Sequence, residues 1–448
     1  MIPMARQMKD SGVEWIGEIP DTWSLSRVGS YISLVESGVS VNAGINPAGE
    51  GELGVLKTSC VSTGKFNPEE NKAVNKDEVG RVDCPVRAGC LIVSRMNTPE
   101  LVGACGYVEQ SYPNIYLPDR LWQIHVNPGY SAKFAYYYLT SSLARSFYAS
   151  IAVGTSSSMQ NISQKEFSSM RCTCPPYVEQ ERIAIFLDAK CAEIDKVVEQ
   201  TRATIEEYEK LKQAIITEAV TKGVRGPRPM KPSGVEWIGD IPEEWMICSI
   251  KRGVSKVGSG KTPSGGAEVY LNEGVLFLRS QNIYDTGLQL DNATYISEST
   301  DEEMSGTRVF AGDVLLNITG ASIGRCCVYP ADMPSANVNQ HVCIIRTVNS
   351  IFTADYMHYF WISFAGKTSI QLYQTGGNRE GMSADAIKNT IIPRMDISEK
   401  QEIAAYLDTK CVEINRIIEK KEQLIEELGS YKKSLIYEYV TGKKEVTA

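Results

Sequence analysis

Residues 11–20 read SGVEWIGEIP, and the stretch recurs as SGVEWIGDIP at residues 233–242. Nine of the ten positions are identical, at an offset of 222 residues. A second match lies near the end of each half, where residues 183–194 and 403–414 share eight identities at an offset of 220. A repeat at a nearly constant offset indicates that one structural unit occurs twice along the chain. We therefore predict tandem copies of one fold, related by a pseudo-twofold axis.

The first part of each copy alternates short apolar runs with turn-forming residues. It covers residues 11–176 in the first copy and 233–394 in the second. The runs CLIV at 90–93 and VLL at 314–316 are typical of buried strands, and Gly, Asn and Pro separate them from their neighbours. A few helices are expected between the strands, so this part is assigned to the α+β class.

The second part of each copy, residues 177–222 and 395–441, is a predicted long helix without an internal proline. Apolar or small residues recur along most of each helix at alternating gaps of four and three residues, which is the pattern of a coiled coil. We call these the seam positions, because they would face the partner helix. A helix of about 40 residues is about 60 Å long and can bury its apolar stripe only against a partner. The seam positions are Leu187, Cys191, Ile194, Val198, Thr201, Ile205 and Tyr208 in the first helix, and Leu407, Cys411, Ile414, Ile418, Lys421, Ile425 and Leu428 in the second.

The Pro-rich stretch at 223–232 is the predicted linker between the copies. If the copies obey a pseudo-twofold axis, the second helix runs antiparallel to the first, and the two form an intramolecular coiled coil. The sequence therefore predicts an α+β protein with two tandem α+β domains separated by two long antiparallel helices. Pairing of each helix with another chain is the alternative.

The composition is typical of a globular protein that folds in water. The chain has 448 residues, of which 43% are hydrophobic and 22% charged. Its first residues lack an apolar signal core, and no run approaches the roughly 18 apolar residues that span a bilayer, so a cytoplasmic location and no membrane contact are expected. The 12 cysteines form no CxxC pair, which favours reduced thiols and no metal site. With a net charge of −8, any binding of DNA must depend on local patches.

Three short motifs imitate catalytic sites but are incomplete. GSGKT at 258–262 resembles the end of a phosphate-binding loop, yet Ser255 occupies the position that requires glycine. CPPY at 174–177 has cysteine where an adenine-binding Asn/Asp-Pro-Pro-Tyr loop carries its acceptor side chain. The Asp-x-Lys at 188–190 imitates a nuclease motif, but it lies on a predicted helix, and its copy at 408–410 has no Pro-Asp partner. No catalytic residue is therefore predicted.

Four tryptophans occupy repeated positions in the two copies, namely Trp15, Trp23, Trp237 and Trp245. Residues that read two different ligands should differ between copies, whereas residues that serve a shared structure should not. We therefore predict that these tryptophans belong to the core or to a docking surface.

The junction between each globular part and its helix resembles a known family. PPYVEQERIAIFLD at 175–188 and PRMDISEKQEIAAYLD at 393–408 are similar to the junction in DNA-specificity (S) subunits of type I restriction-modification enzymes. Further pieces that are similar to this family lie at 154–163, 258–264 and 309–316. Together with the duplication and the helix placement, they extend the resemblance over nearly the whole chain.

The resemblance implies two target-recognition domains, each reading one half of an interrupted sequence in double-stranded DNA. The first domain would span 1–176 and the second 233–394; helices at 177–222 and 395–448, with the linker at 223–232, would set the spacer. In that family the S subunit is not an enzyme. It joins two methyltransferase (M) subunits, which use S-adenosylmethionine, to restriction or motor (R) subunits, which require ATP and magnesium. No cofactor is expected in this chain.

Polar loops in the globular parts are the candidate DNA-reading residues. Arg and Lys suit guanine edges, Asn and Gln suit adenine edges, and Ser and Thr suit either. The candidates in the first copy are Lys57, Thr58, Ser59, Ser94, Arg95, Asn97, Thr155, Ser158 and Gln160. Those in the second copy are Arg279, Ser280, Gln281, Asn282, Asn317, Thr319, Gln374, Thr375, Asn378 and Arg379, with Lys261 and Thr262 as phosphate contacts. For each residue the alternative is ordinary turn chemistry.

Two other classes of function remain as alternatives. A self-contained DNA methyltransferase or nuclease would bind S-adenosylmethionine or cut DNA as the purified chain. A coiled-coil adaptor would bind only proteins, and replacement of residues 24–170 would leave the methylation targets of its complex unchanged.

Overall fold

The computed structural model describes residues 6–156, 159–374 and 381–446. The chain divides into two compact units. Unit 1 comprises Met1–Thr201 and Gln423–Ala448, and unit 2 comprises Arg202–Glu422. Each unit therefore contains one globular part together with segments of two long helices.

The globular part of unit 1 is built from short strands and four short helices. The strands are β1 (Met8–Asp10), β2 (Glu18–Pro20), β3 (Ser24–Arg27), β4 (Ile32–Ser37), β5 (Gly54–Leu56), β6 (Asn71–Ala73), β7 (Pro85–Val86), β8 (Leu91–Ser94), β9 (Met96–Asn97), β10 (Cys105–Tyr107), β11 (Tyr112–Tyr116), β12 (Leu121–Val126), β13 (Val153–Ser156), β14 (Met159–Asn161) and β15 (Arg171–Cys174). The helices are α1 (Val28–Tyr31), α2 (Ala132–Thr140), α3 (Ser142–Ile151) and α4 (Gln164–Ser169), followed by the long helix α5 (Tyr177–Lys222). Turns of 3-10 helix lie at Thr58–Val61 and Val79–Arg81.

Unit 2 follows a similar order of elements. Its strands are β16 (Met230–Pro232), β17 (Asp240–Pro242), β18 (Met246–Ser249), β19 (Val254–Ser259), β20 (Val275–Leu278), β21 (Ile283–Tyr284), β22 (Gly287–Leu288), β23 (Thr294–Ile296), β24 (Arg308–Val309), β25 (Val314–Asn317), β26 (Cys326–Val328), β27 (Ala336–Val338), β28 (Val342–Thr347) and β29 (Ile391–Arg394). The helices are α6 (Glu298–Glu303), α7 (Ala354–Ile362), α8 (Phe364–Tyr373), α9 (Ala384–Asn389) and the long α10 (Ile397–Val440). Turns of 3-10 helix lie at Ile250–Arg252, Gly266–Val269, Ser280–Asn282, Ser305–Thr307 and Gly320–Ser322. Unit 2 has a β21–β22 hairpin and helix α6 of its own, and its described residues contain no strands that correspond to β9, β13 and β14.

Two four-stranded sheets form the centre of unit 1. One is antiparallel, in the order β10-β8-β12-β4, and the other has the order β6-β5-β11-β7 with β5 and β11 parallel. The central strand β8 is buried on both faces, because Leu91 and Val93 point into one core and Ile92 points into a second. Side chains alternate along a strand, so one continuous apolar run supplies both cores.

Unit 2 contains the same two sheets. Their orders are β19-β28-β25-β26 and β23-β20-β27-β24, with β20 and β27 parallel. Strand β25 corresponds to β8, since Val314 and Leu316 enter one core and Leu315 enters another. The tandem repetition of an α+β fold, predicted from the sequence, is confirmed.

Within unit 1, the first half of α5 packs antiparallel to the last turns of α10. The Nζ atom of Lys432 lies 2.6 Å from Oδ1 of Asp195, and the ring centroids of Phe186 and Tyr439 are 4.5 Å apart. As residue numbers rise along α5, those of its partners on α10 fall. The buried residues of this contact are Leu187, Cys191 and Ile194 from α5, with Leu435, Ile436, Tyr439 and Val440 from α10.

Within unit 2, the second half of α5 packs on the first half of α10. The Nζ atom of Lys212 donates to Oδ1 of Asn415 at 2.9 Å, and Nζ of Lys421 lies 5.9 Å from the ring centroid of Tyr208. These pairs again follow an antiparallel order, as predicted for the long helices. The buried residues are Ile216, Ala219 and Val220 from α5, with Ile403, Ala404 and Leu407 from α10. None of the helices in the described residues is both long and apolar enough to cross a membrane.

At both junctions between globular part and helix, a tryptophan and an arginine contact the same glutamate. In unit 1, Nε1–H of Trp23 donates to Oε2 of Glu179 at 2.8 Å, and Nη2 of Arg6 lies 2.6 Å from Oε1 of the same carboxylate. The corresponding residues in unit 2 are Trp245, Glu399 and Arg228. Trp23 and Trp245 are buried, in agreement with their predicted place in the core.

The residue after this glutamate differs between the junctions. Lys400 in α10 is fully buried, and its Nζ donates to the carbonyl of Met395. Burial lowers the pKa of Lys400 to about 8. In unit 1 the corresponding Gln180 is buried, and its Nε2 donates to the carbonyl of Pro175 at 2.9 Å. A neutral amide therefore makes in unit 1 the contact that a buried cation makes in unit 2.

Replacement of Lys400 by glutamine should stabilise the protein by about 1 to 2 kcal/mol at pH 7, because it removes a buried charge and keeps a donor for the carbonyl. The folded pKa lies below the ordinary value of 10.5, so between about pH 8 and that value the native state binds fewer protons than the unfolded state. Wild-type stability should therefore rise with pH across this window, and the advantage of Lys400→Gln should disappear above it.

Urea denaturation of both chains at pH 7 and pH 10 measures this difference. The converse variant, Gln180→Lys, should lose stability at pH 7. An equal pH dependence for wild type and Lys400→Gln would show that Lys400 is not the titrating group.

Candidate nucleic-acid interface

The repeat places polar loops after corresponding strands of the two units. In unit 1, residues 57–59 follow β5 and residues 94–97 end β8 and form β9. In unit 2, residues 279–282 follow β20 and residues 317–319 end β25. A 3-10 turn follows β5 and also β20, so the first loop of each unit has the same local geometry.

The first loop of unit 1 is organised around Glu70. Its carboxylate accepts from Oγ of Ser59 at 2.6 Å and lies 3.5 Å from Nζ of Lys57. The hydrogen bond from Ser59 and the charge of Lys57 lower the pKa of Glu70. Lys57, Thr58 and Ser59 are half-buried. Lys57 is therefore held beside Glu70, and the remaining hydrogens of its ammonium group can be donated to another acceptor.

In the second loop of unit 1, Ser94 and Asn97 bond mainly to the loop itself. Ser94 is fully buried and accepts from Nδ2 of Asn97 at 3.2 Å, while Oδ1 of Asn97 accepts from the backbone N–H of Thr98 at 2.9 Å. The guanidinium carbon of Arg95 lies 6.0 Å from the ring centroid of Trp122. Among the described residues, none accepts a hydrogen bond from Nε of Arg95. Arg95 is thus the side chain of this loop with the most unused donor capacity.

A small three-stranded sheet brings two predicted reading segments of unit 1 together. Its order is β13-β14-β9, and Gln160 in β14 pairs with Asn97 in β9. Thr155 lies in β13 of the same sheet. Ser158 lies outside the described residues. The sheet therefore joins residues 96–97 to residues 153–156 and 159–161, which are far from them in sequence.

The two loops of unit 2 are joined by one side chain. Asn317 is buried, and its Nδ2 donates to the carbonyl of Ser280 at 2.8 Å. Asn282 is also buried and shapes the first loop, since its Oδ1 accepts from the N–H of Arg279 at 3.0 Å. The guanidinium carbon of Arg279 lies 5.7 Å from the ring centroid of Tyr270, while Gln281 is exposed. The two buried asparagines hold the loops, which leaves Arg279 and Gln281 as the side chains available to a ligand.

Four polar side chains form a hydrogen-bonded chain beside these loops. Oγ1 of Thr262 donates to Oε1 of Gln340 at 2.6 Å. Nε2 of Gln340 lies 3.0 Å from Nε2 of His341, and Nδ1 of His341 lies 2.6 Å from Oγ1 of Thr319. Gln340 and His341 are not among the DNA-reading residues predicted from the sequence. The available signal was a polar turn at 339–341 between the buried strands β27 and β28.

The incomplete phosphate-loop motif has a structural explanation in unit 2. A Cβ atom on Gly260 would lie 1.9 Å from the carbonyl oxygen of Val338, so only glycine fits beside β27. Gly38 has the same close approach in unit 1, where its Cβ would lie 1.7 Å from the carbonyl oxygen of Leu117. Close backbone packing therefore requires the glycine. Lys261, which follows it, is exposed.

Most of the last predicted reading segment of unit 2 lies outside the described residues. Gln374 follows α8 and is half-buried. Thr375, Asn378 and Arg379 lie outside the described residues. Where the chain is described again, Gly381 forms a β-bridge with Thr319.

The same backbone carries different side chains in the two units. The N–H of Arg95 donates to the carbonyl of Arg120 at 3.1 Å, and the N–H of Ile318 donates to the carbonyl of His341 at 3.0 Å. Arg120 and His341 therefore occupy corresponding positions, next to corresponding loops. Such a scaffold can present two different sets of donors and acceptors.

A family profile matches both halves of the chain, at residues 34–207 and 242–427. It is described as the type I restriction modification DNA specificity domain. The specificity subunit of the EcoEI type I restriction enzyme from Escherichia coli is 26% identical over 168 residues, which cover 37% of this chain and 28% of that protein. The EcoBI specificity subunit from Escherichia coli is 23% identical over 328 residues, or 70% of this chain and 67% of that protein.

Solved structures show the same fold. A chain from a study of the complex assembly and conformational transition of the type I R-M system has a TM-score of 0.69 and 14% identity, with 95% of this chain and 99% of that chain covered. The HsdS subunit from Thermoanaerobacter tengcongensis has a TM-score of 0.50 and 16% identity, with 95% and 98% covered. Since the profile matches most of both copies, this chain belongs to the family of type I restriction-modification DNA-specificity proteins.

Proposed function

We propose that this chain is the DNA-specificity subunit of a type I restriction-modification complex, in which each unit reads one half of a bipartite site. Helices α5 and α10 set the number of unspecified bases between the halves. The chain is not an enzyme itself. It joins two methyltransferase subunits, which use S-adenosylmethionine, to restriction subunits, which use ATP and magnesium.

The single observation that carries this proposal is the duplicated loop scaffold with unequal side chains. Corresponding backbone positions carry Arg120 in unit 1 and His341 in unit 2, and Arg95 in the second loop of unit 1 corresponds to Ile318 in unit 2. Sequence is read through the donor and acceptor pattern of base edges, so two different half-sites require different side chains on equivalent loops. A scaffold duplicated only for protein binding would not need this divergence.

The acidic net charge is compatible with this function because phosphate contacts are local. Lys261 and Arg120 are exposed beside the candidate loops of their units. Basic side chains at such positions can position a duplex without making the whole chain basic. The partner subunits supply the remaining contacts with the duplex.

Exchange of residues 24–170 tests the proposal. This segment would be replaced by the corresponding segment of a family member whose complex methylates another sequence. The chimeric chain would then be co-expressed with the methyltransferase subunit of the wild-type chain. Methylome sequencing should show a motif of two blocks in which one block changes completely, while the other block and the spacer length stay the same. The segment runs from the start of β3 to the residue before β15, so β3 is exchanged, while β2 and β15 on either side of the segment are kept.

The matched control is the exchange of residues 246–390, which runs from the start of β18 to the residue before β29. This exchange should change only the other block. Unchanged motifs in both chimeras would favour the protein-binding adaptor. Methylation or cleavage of DNA by the purified chain alone would favour an enzyme.

A further inference from the structure

We propose that His341 is a positioning residue for base reading by unit 2: its ring fixes whether Thr319 offers DNA a hydrogen-bond donor or an acceptor, and its Nε2 orients Gln340, whose amide fixes the same property of Thr262. The inference rests on the proposed function. It concerns the chain of hydrogen bonds that runs from Thr262 through Gln340 and His341 to Thr319.

The direction of the bond at Gln340 sets the state of the histidine ring. The amide nitrogen of Gln340 faces Nε2 of His341 at 3.0 Å, and an amide nitrogen can only donate. Nε2 of His341 must therefore be unprotonated. In a neutral imidazole the proton then lies on Nδ1.

The ring state in turn sets the role of Thr319. Nδ1–H of His341 donates to Oγ1 of Thr319 at 2.6 Å. The hydroxyl oxygen accepts this bond, so its own hydrogen remains to be donated elsewhere. Thr319 is half-buried, at the end of β25 and beside the β-bridge to Gly381. Toward DNA, Thr319 therefore acts as a donor.

Thr262, at the other end of this row of hydrogen bonds, offers an acceptor where Thr319 offers a donor. Oε1 of Gln340 can only accept, so the hydroxyl of Thr262 donates to it at 2.6 Å. Thr262 has then used its only hydrogen and offers lone pairs to a ligand. Thr262 and Gln340 are both exposed, so a DNA duplex can reach this end of the row of hydrogen bonds.

These polarities define the base edges that fit. A donor at Thr319 suits an acceptor in the major groove: N7 or O6 of guanine, N7 of adenine or O4 of thymine. An acceptor at Thr262 suits the exocyclic amino group of cytosine or adenine. A phosphate oxygen can only accept, so this arrangement assigns Thr262 to a base and leaves the predicted phosphate contact to Lys261.

Two hydrogen bonds fix the backbone of His341. Its backbone N–H donates to Oδ1 of Asn339 at 3.1 Å, and its backbone carbonyl accepts from the N–H of Ile318 at 3.0 Å. The corresponding residue in unit 1 is Arg120, which has no imidazole tautomer. Any change caused by the histidine should therefore be confined to the half-site that unit 2 reads.

Three substitutions test the inference, with methylome sequencing of the assembled methyltransferase as the measurement. His341→Asn removes the ring nitrogen that orients Gln340, and Gln340→Leu removes the amide that selects the tautomer. Both should reduce the preference for the wild-type base about tenfold at two base pairs of the unit 2 half-site. Thr319→Val, which keeps the shape of the side chain, should relax only one of these two positions.

Thr286→Val is the matched control, because it makes the same change on an exposed turn between β21 and β22. It should leave every base preference unchanged. An unaltered motif in His341→Asn and Gln340→Leu would overturn the inference, as would an equal loss of methylation at all sites without relaxed bases. If the wild-type chain itself gave no two-block motif, the proposed function would fail instead.

Discussion

Replacement of Trp245 by alanine should lower the free energy of unfolding by about 3 to 5 kcal/mol. Trp245 is fully buried, its Nε1–H donates to Oε2 of Glu399 at 2.9 Å, and the guanidinium carbon of Arg228 lies 5.0 Å from its ring centroid. Alanine removes the apolar contacts of the indole and leaves a cavity in the core of unit 2. The buried Glu399 carboxylate, whose side chain is only 2% exposed, would also lose one hydrogen-bond donor. Urea denaturation followed by circular dichroism measures the loss.

Other tryptophans of this chain provide matched controls. Trp23→Ala should cost a similar amount, because Trp23 makes the same contacts with Glu179 in unit 1. Trp15→Ala should cost less than about 1 kcal/mol, since Trp15 is 47% exposed. If Trp245→Ala were as mild as Trp15→Ala, the buried tryptophan at the junction would not support the core of unit 2.

Replacement of Asp313 by alanine should lower the free energy of unfolding by about 2 to 3 kcal/mol. The carboxylate is buried and accepts two hydrogen bonds of 2.7 Å from Nε and Nη2 of Arg346. It also accepts from the backbone N–H of Phe310 at 2.8 Å. Alanine would leave all three donors without this acceptor. The expected loss is below that of a fully buried pair, because the Arg346 side chain is 31% exposed and can be hydrated.

Asp313→Asn keeps an acceptor at the same place and should cost about half as much as the alanine variant. Asp385→Ala removes an exposed carboxylate 3.7 Å from Lys388 and should change stability by less than about 0.5 kcal/mol. Equal losses for Asp313→Ala and Asp385→Ala would contradict the structural role of the buried pair. Thermal denaturation of the three variants under one buffer condition provides the comparison.

The architecture was predictable because its signals are local or periodic. The repeated SGVEWIG stretch revealed the duplication, and the alternating gaps of four and three residues revealed the long helices. The apolar runs at β8 and β25 indicated strands. Each of these signals is a short stretch of neighbouring residues or the repetition of one along the chain.

The candidate site was predictable only in part. Strand ends followed by polar residues pointed to the loops around Lys57, Arg279 and Asn317. The sequence did not show that Ser94, Asn282 and Asn317 are buried and hold the loops. A polar residue at a turn looks the same in sequence whether it holds the loop or contacts a ligand. Gln340 and His341 were missed, since their partners Thr262 and Thr319 are remote in sequence. The assignment of individual residues to DNA remains a prediction.

By itself, the sequence determined the duplication, the α+β class, the helical segments and the family. Each of these features follows from a pattern of neighbouring residues or from the internal repeat. Only the tertiary structure decided that each unit combines one globular part with segments of both long helices. It also decided that Trp23 meets Glu179, and that four side chains align from Thr262 to Thr319. These features are contacts between residues far apart along the chain, and such contacts exist only once the backbone has brought their elements together.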